Sequence, residues 1–340
     1  MWVQVVKQPT VISLFAGCGG SSLGYKLAGF RELLAVEWDD NAVETFKLNF
    51  PDVPVYHGDI CKLTSEECMR LAGVKIRELD ILDGSPPCQG FSTAGKRKFN
   101  DSRNDLFKEF TRLLRDLQPK VFVFENVSGL VKGYMKQIYL EIMKGLRDCG
   151  YNCKGSILNT MYFNVPQSRE RVIIIGVRNN LGIEPSHPKP GNVIPVCECP
   201  EVEDKPLPLV GIELRRFNHI PPGGNWQDLP KYLINGKAKY SNFHRRLHPL
   251  KPSFTIGKEE HYSSGRFYHW SEPRRISNKE LQFIGSYPLD FIFIGDEKII
   301  HSLIGNSVPP LFMKAIAEHI RDNILEMAKE RDNDSAMPTL

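Results

Sequence analysis

Short apolar runs alternating with helical stretches constrain the first half of this 340-residue chain more than any other feature. Val11–Phe15, Leu33–Val36, Ile81–Leu82, Val121–Phe124 and Val172–Val177 read as strands covered on both faces. A strand with one wet face alternates in polarity, whereas strands of a parallel sheet flanked by helices do not. Between two of them, the stretch 104–118 sets Leu106, Phe107, Phe110, Leu113, Leu114 and Leu117 on one stripe of a helix. Ser102 stands where a cap would, with Asp105 behind it, and Pro119 ends the helix. The pattern predicts an α/β fold with a doubly wound sheet.

The character changes after about Arg178. Thirteen of the 24 prolines lie between Asn179 and Pro273, and helical periodicity is lost. A second domain, irregular and β-rich, is predicted from that point. Helical spacing returns over Pro309–Lys329, with Phe312, Ile316, Ile320 and Ile324 four apart and prolines at the helix start. The polar tail 331–340 is expected to fray.

Charge is distributed unevenly. From Lys205 to Arg275 there are 13 Lys and Arg against 5 Asp and Glu, a balance of +8 within a chain of net +4. Five histidines and ten aromatics are interleaved with them. Such a segment is either a nucleic-acid footprint or a solvated basic face. Arg245, Arg246 and Lys251 are its candidate phosphate contacts. No apolar run approaches the roughly 20 residues of a membrane span, and the N-terminal MWVQVVKQPT lacks a signal's apolar core. The eight cysteines are expected as reduced thiols in a cytoplasmic protein, nucleoid-associated if bacterial. Cys149/Cys153 and Cys197/Cys199 miss the common zinc spacings, so no metal is expected.

Candidate site residues collect at strand ends. After Val11–Phe15 comes Ala-Gly-Cys-Gly-Gly, where Gly17, Gly19 and Gly20 let the backbone approach a ligand beside helix amides. A tight strand-to-helix turn without a ligand reads the same way. The next strand ends in Glu37-Trp38-Asp39, about 20 residues on, where an acid would hold ribose hydroxyls. A third strand end carries Gly58-Asp59-Ile60. The glycine spacing is not that of dinucleotide binders, so S-adenosylmethionine fits better than NAD. The fourth strand leads into Asp83-Gly-Ser-Pro86-Pro87-Cys88-Gln-Gly-Phe-Ser92. A cysteine on a stiff turn at the ligand edge suits a nucleophile better than a buried apolar filler. Ser92, Lys96, Arg97, Lys98 and Arg103 follow on a long irregular loop, a basic clamp for phosphates. Glu125 ends the next strand, and Arg169 and Arg171 precede the one after.

Taken in order, these runs resemble the DNA cytosine-5 methyltransferases over nearly the whole chain, with Arg274-x-Ile276-Ser277-x-x-Glu280 and Gly305-Asn306-Ser307-Val308-Pro309 continuing the match. The resemblance implies a Rossmann-like methyltransferase domain formed by 1–178 and 286–330, with a smaller target-recognition domain inserted over 179–285. It implies that Cys88 adds to C6 of a cytosine flipped out of duplex DNA, and that C5 then takes the methyl group of S-adenosylmethionine. Glu125 would hold N3 and the exocyclic amine. Arg171 would contact the carbonyl, with Arg169 beside it. Phe15, Glu37, Trp38, Asp59, Leu106 and Asn306 would line the cofactor site, with Gly17, Gly19, Ile60 and Pro86 around it. The late run Glu280-Leu-Gln-Phe-Ile-Gly departs from the commonest family pattern and leaves the catalytic core untouched. A monomer is expected, with a cognate restriction endonuclease acting separately in a bacterial restriction–modification pair.

Three other readings compete. The first is an RNA cytosine methyltransferase, although the Cys-Phe-Thr run of the tRNA-modifying relatives is absent. The second is a DNA-binding protein without catalysis. The third is a NAD-dependent oxidoreductase.

Overall fold

The chain's computed structural model describes residues 8–87, 106–133, 135–204, 206–234, 244–258 and 267–336. They divide into two compact units. One comprises Met1–Leu158, Glu170–Lys189 and Met313–Leu340; the other comprises Asn159–Arg169 and Pro190–Phe312. The second unit is thus wider than the 179–285 segment expected as the insert.

The first unit is built on a seven-stranded sheet. Its strands are β1 (Thr10–Leu14), β2 (Arg31–Glu37), β3 (Val55–His57), β4 (Ile81–Gly84), β5 (Val121–Val127), β6 (Tyr151–Asn159) and β7 (Glu170–Arg178). The order across the sheet is β3-β2-β1-β4-β5-β7-β6. Pairs β1–β2, β1–β4, β2–β3 and β4–β5 are parallel, whereas β7 runs antiparallel to β5. All five residues of β1 are buried, as its apolar run requires. From β1 the chain winds outward through β2 and β3, then returns to β4 on the other side. The switch point therefore lies between the carboxyl ends of β1 and β4, where α/β sheets bind ligands.

Helices α1 (Gly20–Leu27), α2 (Asp40–Asn49), α3 (Ser65–Ala72), α4 (Leu106–Leu117) and α5 (Met135–Asp148) connect the strands. The stripe read from the sequence is the buried face of α4, with Phe110, Leu113, Leu114 and Leu117 at 0–1% exposure. Phe110 meets Phe122 and Phe124 edge-on at 6.0 and 5.3 Å. Burying such a side chain contributes roughly 1.5–3 kcal/mol, and its truncation to alanine costs roughly 3–5. The helix stops where Gln118 turns to φ 49° ahead of Pro119. The proposed cap Ser102 lies outside the described residues.

Strand β6 escaped the sequence reading. It is an edge strand whose burial is broken by Lys154, Gly155 and Ser156, so it carries no continuous apolar run.

The second unit holds α6 (Gly211–His219), α7 (Asn278–Ile284) and α8 (Glu297–Asn306), with several single 3-10 turns. Among the described residues its β pairing is limited to isolated bridges, Gln167 with Ser253 and Tyr268 with Arg246 and Arg275. It is irregular as expected, but its described part is not β-rich. Prolines remove ladder donors, and two small apolar clusters, around Ile256 and around Tyr268, carry the packing instead. Arg274 makes a two-pronged bond to Glu280, both contacts at 2.7 Å, while Glu280 and Ser277 cap α7 reciprocally.

Beyond it run α9 (Pro310–Ile320), a π-helical turn at Arg321–Leu325 and α10 (Glu326–Ala336). Arg321 Nη1 donates to the carbonyl of Ala28 at the end of α1. No helix among the described residues is long and apolar enough to cross a membrane.

Candidate functional site

The predicted residues of the first unit that the structure describes sit at one edge of its sheet, in the order in which the strands end. Phe15 follows β1 with φ 58°, a left-handed conformation rare for a residue with a side chain. Gly17 and Gly19 follow at φ 56° and 96°. A Cβ on Gly19 would fall 2.5 Å from the Phe50 ring, so glycine is required there both by conformation and by space. Gly19 opens α1 and, having no side chain, gives the helix no side-chain cap.

Glu37 ends β2 and reaches back to the glycine turn. Its Oε2 accepts from the Gly17 amide at 2.7 Å, and its Oε1 accepts from Trp38 and Asp39 at 2.8 and 3.0 Å. A carboxylate offers about four acceptor positions, so one remains for a hydroxyl. Beside it Trp38 is 76% exposed, a large aromatic face open to solvent. Asp59, after β3, caps a 3-10 turn through the Cys61 amide, and Ile60 is buried. Arg112 of α4 pins that turn by donating to the carbonyls of Leu63 and Ile60 at 2.8 and 3.4 Å. Leu106, half-buried at the start of α4, packs against the sheet core.

Strand β4 leads to Ser85, buried Pro86 and exposed Pro87. Asn126, at the end of β5, donates to the Pro86 carbonyl at 3.1 Å and accepts from the Val127 amide. The sequence reading named Asn126 only as part of a run. A polar residue at the end of a fully buried strand is the signal that marks it. Cys88, Ser92, Lys96, Arg97, Lys98 and Arg103 lie outside the described residues.

Glu125 is buried next to Asn126, and its Oε1 receives Arg171 Nε at 2.7 Å. The antiparallel register brings them together, because β7 starts at the edge where β5 ends. Burial pulls the Arg171 guanidinium below its usual range, and Glu125 opposes that shift.

Other predicted residues fall in the second unit. Arg169 is buried there, and its Nη1 donates to the carbonyls of Ile256 and Gly305, both at 2.9 Å. Asn306 is exposed at the end of α8. Arg246 donates to the carbonyls of Trp270, Ile220 and Phe217 and lies 3.9 Å over the Phe217 ring. Arg245 stacks 4.3 Å over Phe254, and Lys251 is exposed. Much of the segment's apparent basicity is spent internally, since Arg216 and Arg275 also pair with Glu213.

The residues at the sheet edge fit a nucleoside that carries a carboxylate. The uncapped start of α1 suits the anion, the free acceptor position of Glu37 suits a ribose hydroxyl, and Trp38 offers a stacking face for a base.

The family model described as C-5 cytosine-specific DNA methylase matches residues 9–205 and 213–322. A type II methyltransferase of Haemophilus parahaemolyticus, M1.HphI, is 35% identical over 92% of this chain and 86% of its own length. M.NgoFVII of Neisseria gonorrhoeae is 34% identical over the same shares. A crystal structure from Escherichia coli, described as a DNA modification methyltransferase encoded within a prophage, superposes with a TM-score of 0.71 at 25% identity. It covers 94% of this chain and all of that one. A DNMT2 structure from Spodoptera frugiperda shares the fold, with a TM-score of 0.68 at 20% identity over 95% of this chain and all of its own.

Proposed function

The chain belongs to the C-5 cytosine-specific DNA methylases and is a DNA cytosine-5 methyltransferase, and from that premise we propose that it methylates a flipped-out cytosine in a specific duplex sequence through a covalent bond from Cys88 to C6. The observation that carries this reading is the buried Glu125–Arg171 pair at the same sheet edge as Pro86, Glu37 and the glycine turn.

Cytosine C5 is a poor nucleophile. A thiolate added at C6 pushes electron density onto C5, and a free cysteine is intrinsically nucleophilic even when only a few per cent ionised. When bound, S-adenosylmethionine supplies a methyl group activated by its sulfonium. Phe15, Gly17, Gly19, Glu37, Trp38, Asp59, Ile60, Pro86, Leu106 and Asn306 are the residues proposed to hold it. Addition places negative charge on the ring; Glu125, when protonated, offsets it by giving its proton to N3, its other oxygen accepting from the exocyclic amine, and Arg171 offsets it by contacting the carbonyl oxygen. A base then takes the C5 proton, and the Cys88 thiolate leaves. Extrusion of the base costs a few kcal/mol. Phosphate contacts from Ser92, Lys96, Arg97, Lys98, Arg103, Arg245 and Lys251 would offset it.

Restriction–modification is the context that the type II relatives support, with a cognate endonuclease acting separately on the same sequence. The enzyme is proposed to work as a monomer in the cytoplasm. The test is to treat a random-sequence duplex library with the purified protein and S-adenosylmethionine and to map 5-methylcytosine. Methylation confined to one sequence supports the reading, and an unmodified library refutes it.

A further inference from the structure

Strand β3 is three residues long and stands at the edge of the sheet, so the turn that follows it has little to lean on. That turn, Ile60–Lys62, is a single 3-10 turn, a form with poorer hydrogen-bond geometry than the α-helix. Asp59 caps it, and the amides of Lys62 and Leu63 close it on the carbonyls of Asp59 and Ile60 at 2.9 and 3.2 Å. One tie to the rest of the unit is the Gly58 amide, which donates to the Glu37 carbonyl at the end of β2 at 3.0 Å.

A second tie comes from α4. Arg112 Nη2 donates to the Leu63 carbonyl at 2.8 Å and, at 3.4 Å, to that of Ile60. Its Nη1 donates at 3.3 Å to Oγ of Ser65, the first residue of α3, and Ser65 in turn donates to Asp116 of α4. One helical turn before Arg112, Glu109 Oε2 accepts from its Nε at 2.8 Å and pairs with its Nη2 at 2.7 Å, which sets the plane of the guanidinium. A planar fork can serve these acceptors together, whereas an ammonium cannot. Their spacing puts Leu106, Glu109, Arg112 and Asp116 on one side of α4. The helix that holds the turn therefore also carries Leu106, and Leu106 packs against the apolar cluster that includes Ile60.

We propose that Arg112 is a positioning residue for S-adenosylmethionine: it locks the Asp59–Leu63 turn to α4 and so fixes Asp59 and Ile60 relative to Leu106 before the cofactor arrives. This rests on the cofactor site put forward above. A site set in advance spares the cofactor the ordering of its own wall. Two strands, β2 and β1, stand between β3 and β4, which runs toward Cys88. Loss of the lock should therefore weaken the bound ground state and the transition state alike. Such a loss raises KM and leaves kcat in place.

The test compares wild type with Arg112→Met, Arg112→Lys and Glu109→Gln. Arg115→Met serves as the control on the same helix, since Arg115 Nη2 is directed at Cys149 Sγ instead. Calorimetric affinity for S-adenosylmethionine, KM for it, turnover at saturating cofactor and affinity for duplex DNA are measured separately. Arg112→Met should weaken cofactor affinity about tenfold or more and raise KM in proportion. Its saturated turnover should stay within about threefold of wild type and its duplex affinity within about twofold. Arg112→Lys and Glu109→Gln should show smaller losses of the same kind, and Arg115→Met none. Unchanged cofactor affinity in Arg112→Met overturns the proposal. So does a fall in turnover with KM in place, or equal weakening by Arg115→Met.

Wild type supplies a reading that needs no variant to fold. In cofactor-free protein the amides of Cys61, Lys62 and Leu63 should already exchange slowly with deuterium, and saturating S-adenosylmethionine should slow them by less than about threefold. Free exchange that becomes slow only with cofactor would mean that the ligand builds the turn, and overturns the proposal. Should wild type bind S-adenosylmethionine but transfer no methyl group to duplex DNA, the functional reading fails while the affinities still decide the role of Arg112. Should it bind none, both fail.

Discussion

Arg171 and Glu125 face each other at 2.7 Å with 13% and 10% of their side chains exposed, each the other's counter-charge. Glu125→Ala would strand a buried guanidinium and should cost roughly 3–5 kcal/mol of stability. Glu125→Gln keeps a hydrogen-bonding partner and should fold with a much smaller loss. Its single-turnover methyl transfer should still drop by about a hundredfold or more, in line with the loss of an acid–base group. Denaturant melts beside rapid-quench assays separate the two effects. Normal transfer by the Gln variant would remove Glu125 from the chemistry.

Cys88→Ser should bind S-adenosylmethionine as wild type does and transfer no methyl group, because a hydroxyl is far less nucleophilic than a thiolate. A target duplex carrying 5-fluorocytosine should trap wild type covalently and only with the cofactor present. Fluorine cannot leave C5 as a cation, so the methylated adduct has no exit. Peptide mapping should place the nucleotide on Cys88. An adduct formed elsewhere, or none on the mapped target, would refute the thiolate route.

Glu37→Ala should weaken cofactor affinity by about tenfold while duplex affinity changes less than twofold. The substitution removes a ribose acceptor and also releases the Gly17 amide that shapes the turn. Calorimetry with each ligand reads the difference. If both affinities fall together, Glu37 only braces the fold.

Arg246 and Lys251 should separate under salt. Lys251→Ala is expected to reduce the slope of log affinity against log salt by about 0.9, the signature of one lost phosphate contact. Arg246→Ala should instead lower stability by roughly 1.5–3 kcal/mol or more, since it leaves buried carbonyls without their charged donor. A changed salt slope without a stability loss would return Arg246 to the DNA interface.

Glu280 makes the second unit sensitive to acid. Burial would raise its carboxyl, but Arg274, His269 and the Ser277 amide outweigh burial and bring it down to about 2. Its stabilisation is complete above the ordinary glutamate range and is lost as pH falls through about 2, amounting to roughly 3 kcal/mol at about 1.4 kcal/mol per pH unit. Glu280→Gln should be less stable at neutral pH and show a flatter acid limb. Parallel acid limbs in wild type and variant would contradict this.

The parts of this molecule legible in its sequence are those where local pattern and tertiary demand agree. Apolar runs such as Val172–Val177 can only be strands covered on both faces, and glycines at Gly17 and Gly19 can only be a turn. The C-terminal ends of the strands then gather Glu37, Asp59 and Glu125 by topology alone. What stayed hidden depends on long-range partners. The number of arginines in 205–275 gives no hint that Arg246 serves carbonyls at Trp270 and Ile220, or that Arg216 and Arg275 share Glu213. Nor does a local reading separate Glu32, sealed among serines, from an ordinary surface acid. Nor does the sequence show that Arg169 donates to the carbonyls of Ile256 and Gly305.

The bond from Arg321 to the carbonyl of Ala28 spans 293 positions of sequence. It joins the end of the first helix to a segment that leaves the ribosome only after the second unit has been made. The first unit consequently gains this contact only once the later segment has been made. Frameshifts that remove Arg321 should therefore loosen the end of the first helix, whereas changes confined to 331–340 leave that contact in place.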